Sequence, residues 1–245
     1  MTRRILLAGA GGVVGRRLVP LLIAAGYEVF GTTRSPARAN ELRDHAIEPL
    51  VVDVFDAAAL ARAAASAAPD VVIHQLTDLP PGLDPARMAD AIVRNARIRQ
   101  MGTRNLVDAA IAAGARRIVA QSIAWAYAVS ALPHAEDDPL DVGAEGARGV
   151  SVRGVAALES AVLESPPIDG IVLRYGHLYG PGTGTGTAAD PALHVDAAAQ
   201  AALLAVDHGA PGIYNVAEAS REVATVKARS ALGFDAGFRN ANATW

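Results

Sequence analysis

The chain contains no cysteine. That excludes a disulfide frame, a thiolate nucleophile and any cysteine-type metal site. Aromatic residues are only 4% of the chain, so its core must be aliphatic. There is one lysine, Lys227. Neither charge sign dominates: the formal net charge is −3, which gives no general attraction to nucleic acid or to an anionic membrane. Apolar runs are broken by Arg, Gly or Asp well short of a membrane span. No His/Asp/Glu spacing resembles a metal site. The opening Met-Thr-Arg-Arg leads straight into an apolar strand and does not read as a signal peptide. The expectation is a cytoplasmic protein with a small-molecule partner, no metal, no nucleic acid and no membrane.

What is present is an alanine-rich chain of 245 residues, 51% hydrophobic. That length suits one large α/β domain, or one domain with a small appendage. Its most informative stretch is Gly9-Ala10-Gly11-Gly12-Val13-Val14-Gly15, directly behind the apolar run Ile5–Ala8. The glycines at 9, 12 and 15 are spaced G-x-x-G-x-x-G. Glycine permits a tight, positive-φ turn and close approach of a diphosphate. The helix that follows offers unpaired N–H groups and its positive dipole end to the anion. Strand, glycine turn and helix start together make a dinucleotide-binding signal that a glycine run alone would not.

Alternating patterns follow. Strands are expected at 4–8, 28–32, 48–52, 71–75, 117–121, 168–175 and 212–216, each a short apolar run of the kind a doubly covered sheet needs. Helices are expected at 13–25, 36–44, 57–67, about 85–113, 151–164 and 195–207. Pro20 falls inside the first helix, while Gly26 and Gly114 stand where helix C-terminal glycines belong. Residues 128–149 and 176–191 read as loops. Repeated βα units imply right-handed crossovers and a Rossmann-like, doubly wound parallel sheet. The long fourth helix carries Arg87, Arg94, Arg97 and Arg104, which fit a solvated face with ion pairs better than a phosphate grip.

In such a sheet the second strand ends beside the adenosine ribose, where an acid favours NAD and an arginine favours NADP. Here that strand runs into Thr32-Thr33-Arg34-Ser35, with Arg38 one turn further and no carboxylate between Glu28 and Glu41. Arg34, assisted by Arg38, therefore points to NADP, with NAD as the alternative. A cation at a helix N-terminus opposes the dipole, and a neighbouring anion would explain it. Asp53 ends the third strand and can accept from the adenine amino group. Asp56 is the better helix cap.

Taken together, these elements resemble the extended short-chain dehydrogenase/reductase family, in its epimerase/dehydratase branch. The resemblance runs from residue 3 to about 216. Besides the glycine turn and Asp53-Val54, it rests on Val72-Ile73-His74-Gln75-Leu76, Gly102-Thr103-Arg104-Asn105-Leu106, Glu136-Asp137-Asp138-Pro139-Leu140, Leu173-Arg174-Tyr175-Gly176-His177-Leu178-Tyr179-Gly180-Pro181-Gly182 and His194-Val195-Asp196. It implies a sheet of about seven strands in a single 1–245 domain, with substrate-region elements from about 176–195 and 217–245. It further implies that Gln75, Leu76 and Thr77 line the cofactor, that Tyr175, His177 and Leu178 pass near the nicotinamide, and that helices 85–113 and 151–164 pair two copies into a homodimer.

The family's usual Ser/Thr and Tyr-x-x-x-Lys are missing. In those proteins the tyrosine hydroxyl exchanges a proton with the substrate, and the ammonium lowers its pKa. No tyrosine here has a lysine four residues on; in register with the family, Ser151 takes the tyrosine position, Val155 the lysine position and Ile123 the serine position. Arg153 cannot move protons, since its pKa stays above about 12. Tyr127, just past the fifth strand, and Ser122 are the candidate proton or hydrogen-bond donors, though Tyr127 equally suits a packed wall with Trp125. His74 reads as a hydrogen-bonded core histidine and His194 as a cap. Three functions stay open: an NADP-dependent carbonyl reductase or isomerase with a reduced acid/base apparatus, a non-catalytic dinucleotide sensor, and an enzyme without redox chemistry.

Overall fold

The structure, a computed structural model, describes residues 3–240. Nine strands occur in chain order among them: β1 (Arg4–Ala8), β2 (Glu28–Thr33), β3 (Ile47–Val51), β4 (Val71–His74), β5 (Arg117–Ile123), β6 (Asp169–Tyr175), β7 (His177–Tyr179), β8 (Ala192–His194) and β9 (Gly212–Val216). Seven make one sheet in the order β3-β2-β1-β4-β5-β6-β9, with every neighbouring pair parallel. β7 and β8 form a separate parallel pair, so the stretch read as loop from 176 begins with a strand instead. His177 to Tyr179 exchange main-chain bonds with a segment fifteen residues away, a partner that local composition does not reveal.

The helices are α1 (Val13–Ala24), α2 (Pro36–Asp44), α3 (Ala57–Ala67), α4 (Pro85–Arg97), α5 (Thr103–Ala112), α6 (Gly146–Leu163), α7 (Val195–Asp207) and α8 (Val226–Leu232). Their starts have physical causes. The side chains of Ser35, Asp56, Asp84 and His194 accept from backbone N–H groups of the following turn. Gly26 and Gly114, at φ +84° and +80°, end α1 and α5 in a conformation that suits glycine. The single helix expected over 85–113 is interrupted: α4 and α5 are joined by a π-helical turn, Ile98–Gly102. There the Thr103 N–H reaches back five residues to the Ile98 carbonyl, and the Thr103 hydroxyl donates to the same oxygen.

Both faces of the sheet are covered. One core gathers Ile5, Leu7, Ile73, Val119 and Leu173 with α1, α7 and α8; the other gathers Leu6, Val72, Ile118 and Val172 with α3, α5 and α6. Fully buried strands explain the continuous apolar runs. The chain order reverses at β1, with β2 on one side and β4 on the other. A crevice therefore opens beyond the carboxyl ends of β1 and β4, where ligands bind in such sheets. The tail from 217 contributes α8, and its last five residues lie outside those described.

Candidate functional site

The glycine turn builds the floor of that crevice. Gly9 adopts φ +99°, and a Cβ there would stand 2.7 Å from the Gln75 carbonyl oxygen. A Cβ on Gly15 would lie 2.2 Å from the Gly9 oxygen. Around Gly11 nothing lies within 4 Å of such an atom, and around Gly12 only the Gly9 oxygen does, at 3.2 Å. The turn is thus closed beneath and open above. α1 starts at Gly12 without a side-chain cap and without an acid in its first turn. That arrangement leaves the N-terminal dipole free to meet an anion.

One cleft brings together Gly9, Gly11, Gly12, Arg34, Arg38, Asp53, Val54, Gln75, Leu76 and Thr77. Arg34 and Arg38 are exposed at its rim, and among the described residues neither guanidinium has an ion-pair partner. Asp53 accepts from the Phe55 N–H at 3.0 Å and keeps its other oxygen available, while Asp56 caps α3 through Ala59 N–H at 2.9 Å. Arg16 and Glu41 also line the cleft, paired to each other at 2.8 Å. Sequence spacing missed this pair, because its carboxylate, Glu41, arrives from α2. Gln75 is buried, donates to the Tyr175 hydroxyl at 3.3 Å, and leaves its Oε1 without a partner. A closed glycine cradle, an uncapped helix start and two free arginines at the rim fit a dinucleotide phosphate.

The other expected cofactor residues stand apart from the lined cleft. Val14 is buried in the core, and Val13 is exposed beside the Gly182 turn. Tyr175 is buried, its hydroxyl donating to the Ala198 carbonyl at 3.0 Å; burial pushes it far above the ordinary tyrosine range. His177 stacks on Trp125 with ring centres 5.7 Å apart, and burial lowers its pKa. Leu178 packs partly against the α1/α7 core.

Of the positions where the family would hold its serine, tyrosine and lysine, Ile123 and Val155 are apolar and Ser151 is a buried serine. Ile123, Ala126, Val152 and Val155 form one buried cluster, flanked by Trp125 and Leu140. Ser122 is fully buried and donates to Glu159 of α6 at 2.7 Å. Glu159 also takes a two-point ion pair from Arg174, at 2.9 and 2.7 Å. Tyr127 is 4% exposed; its hydroxyl donates to Asn215 at 2.6 Å, and its ring lies between His134 and the Arg174 guanidinium. Burial raises its pKa. Both hydroxyls are therefore engaged internally, and Tyr127 packs with His134 rather than with Trp125.

His74 is a core histidine. Leu76 N–H donates to its Nδ1 at 3.2 Å, so Nε2 carries the proton and donates to Thr103 at 2.9 Å. Burial, assisted by Arg99, lowers its pKa to about 4. His194 accepts from Asp196 N–H as the cap of α7. Among the described residues, no group of three His, Asp or Glu side chains could hold a metal, and no helix is long and apolar enough to cross a membrane.

Comparison with known proteins agrees with this geometry. Residues 5–189 match the model of the NAD dependent epimerase/dehydratase family. A 3-diazoavenalumate denitrifying reductase of a Streptomyces species is 41% identical over 243 residues, covering 88% of this chain and 76% of the relative. Cinnamoyl-CoA reductase 1 of Oryza sativa subsp. japonica is 36% identical over 120 residues, which is 46% of this chain but only 32% of that protein. Among solved structures, the UDP-glucose 4-epimerase of Thermotoga maritima superposes with a TM-score of 0.77 at 18% identity, covering 96% and 94% of the two chains. The UDP-glucose 4-epimerase of Bifidobacterium longum, in complex with NAD+ and UDP, gives 0.73 at 17% identity over 96% and 94%. At such identities the two structures establish the shared fold, while the family model covers most of the chain; the protein belongs to the NAD-dependent epimerase/dehydratase family.

Proposed function

We propose that the protein is an NADP-dependent reductase of a small planar substrate whose reduction needs no tyrosine–lysine pair. A reduced nicotinamide, when bound, supplies a hydride. Gly9, Gly12 and Gly15 shape the diphosphate seat, Arg34 and Arg38 hold the 2′-phosphate, and Asp53 and Val54 meet the adenine. Gln75, Leu76 and Thr77 continue the seat toward the substrate. The observation that carries the reading is the Ile123–Ala126–Val152–Val155 wall, which offers no titratable group to the reacting centre. For carbonyl reduction or an isomerisation, Tyr127 and Ser122 are the candidate hydroxyl donors. Each would first have to give up its bond to Asn215 or Glu159.

An acceptor that asks for no proton suits this wall better, and the name of the Streptomyces relative supplies one. An aryl diazonium cation that accepts a hydride releases N2 and leaves an arene. Charge and atoms balance with no proton moved. The protein then has to bind, orient and keep water out, which an apolar wall does.

The experiment is incubation with NADPH and a set of acceptors: a hydroxyphenyl diazonium salt, aryl aldehydes, and UDP-glucose. Protein-dependent NADPH oxidation matched by N2 release is expected with the diazonium salt, and little with UDP-glucose. Fast turnover of UDP-glucose or of secondary alcohols would overturn the reading. Tight NADPH binding without turnover of any acceptor would favour the dinucleotide sensor instead.

A further inference from the structure

Arg99 occupies the π-helical turn between α4 and α5 and is only 8% exposed. Burying a guanidinium is expensive unless a carboxylate meets it. None does: among the described residues no carboxylate lies within ion-pair distance of Arg99. Its one hydrogen bond is long, from Nη1 to the Ser151 carbonyl at 3.5 Å. The carboxylate that it senses, Glu159, is already saturated by Arg174 and Ser122. His74, the other titratable neighbour, is held neutral. Arg99, Arg174 and Glu159 together thus leave the buried floor with one unmatched positive charge.

The position of that charge is informative. The Arg99 side chain runs along α6 beside Ser151 and Gly154; a Cβ added to Gly154 would stand 3.5 Å from the Arg99 Cδ. Gly154 and Ala96 bring the two helices close enough for this. The same stretch of α6, from 151 to 155, is where the family carries its tyrosine and lysine. Ser151 is buried there, and among the described residues its hydroxyl has no hydrogen-bond partner. Arg153 does not share the place: it points outward and donates to the carbonyls of Val142 and Ala144. A fixed cation and a free hydroxyl therefore lie on one seam, beside the wall flanked by Trp125 stacked on His177.

We propose that Arg99 and Ser151 form an anion-binding pair that takes the carboxylate of a small planar acid as substrate. The guanidinium meets a carboxylate through two parallel N–H donors, and Ser151 adds a third. Trp125 and His177 supply the flat surface against which the conjugated part lies. The proposal rests on the reductase reading, which makes this seam the substrate end of the site, and it names the charge of the substrate that binds there. It also gives a reason for the π-helical turn, which sets Arg99 against α6.

The test is calorimetry with cinnamate and its uncharged amide, cinnamamide, in the presence of saturating NADPH. Wild type should bind cinnamate at least tenfold more tightly than cinnamamide. Arg99→Met should lose that preference and leave NADPH affinity unchanged. It should melt no lower than wild type, because it removes an unmatched buried charge. Arg99→Lys should retain part of the preference, and Ser151→Ala should weaken cinnamate by a smaller factor. Equal wild-type affinity for the two probes, or no affinity for cinnamate, would overturn the proposal without any variant being needed. Cinnamate binding that Arg99→Met leaves intact, with a lowered melting point, would overturn it as well and assign Arg99 a structural role. Retained NADPH affinity and diazonium turnover in those cases would leave the reductase reading standing, so the two failures are distinguishable.

Discussion

Gly12 and Gly15 are both glycine, for different reasons, and mutation should separate them. A side chain on Gly15 would collide with the Gly9 carbonyl at 2.2 Å, so Gly15→Ala should damage the turn itself. Gly12 has φ −79° and only one atom near its would-be Cβ, so Gly12→Asp should fold. Its carboxylate would then stand where the diphosphate belongs. NADPH affinity should fall about a hundredfold, or ~2.7 kcal/mol, with little change in apo Tm; unchanged affinity in calorimetry would sink the phosphate assignment. Arg34→Ala should remove about tenfold of a preference for NADP over NAD, ~1.4 kcal/mol, and Arg38→Ala less. Equal binding of the two dinucleotides by wild type would refute NADP specificity. That Gly12, Arg34 and Arg38 line one cleft was legible in the sequence, because each follows a strand end that the glycine motif places. The engagement of Tyr127 and Ser122 was not, since Asn215 and Glu159 lie 88 and 37 residues away in the chain.

Elements are held together by polar contacts that local periodicity does not encode. The chain from Leu76 N–H through His74 and Thr103 to the Ile98 carbonyl ties the end of β4 to the π-helical turn. Protonating His74 at Nδ1 would break its bond to Leu76. The folded protein resists that proton down to pH about 4, whereas an unfolded chain accepts it near 6.5. Between those values the unfolded state binds more protons, so stability should fall as pH drops from about 6.5 to about 4 and stay level above. The full effect of this group is on the order of 3 kcal/mol. Urea unfolding across that range should show a pH slope in wild type that His74→Gln reduces; identical slopes would refute the assignment. Apolar runs and capping residues announced most strands and helices. They did not announce the π-helical turn, because Ile98–Gly102 keeps a helical composition and only the long-range fit of α4 and α5 against α6 requires the extra residue. α6 itself begins at Gly146 within a stretch rich in glycine and acid, where composition argues for loop.

The whole molecule raises the question of its partner copy. The family resemblance implies a homodimer built on α4 and α6. Those two helices lie together on one side of the sheet, close-packed where Gly154 meets Ala96. The arginines along α4 and α5 are largely satisfied within the chain. Arg94 pairs with Asp78, Arg104 with Asp108, and Arg97 lies over Phe55. Apolar side chains on the same segment are left to solvent: Val93 is 61% and Met101 49% exposed. Isolated exposed apolar residues are ordinary on a monomer. Two on one segment, α4 and the turn after it, through which the family resemblance implies association, argue for a covered face, for which a stable interface needs about 800 Å² on each partner. We therefore expect a dimer in light scattering at micromolar concentration. The double variant Val93→Glu, Met101→Glu should be monomeric, because each carboxylate would be buried against its symmetry mate. Neither residue lines the dinucleotide cleft, so NADPH affinity should not change. A wild-type mass that stays monomeric at every concentration would remove the dimer and leave the cleft beneath Arg34 as a site complete within one chain.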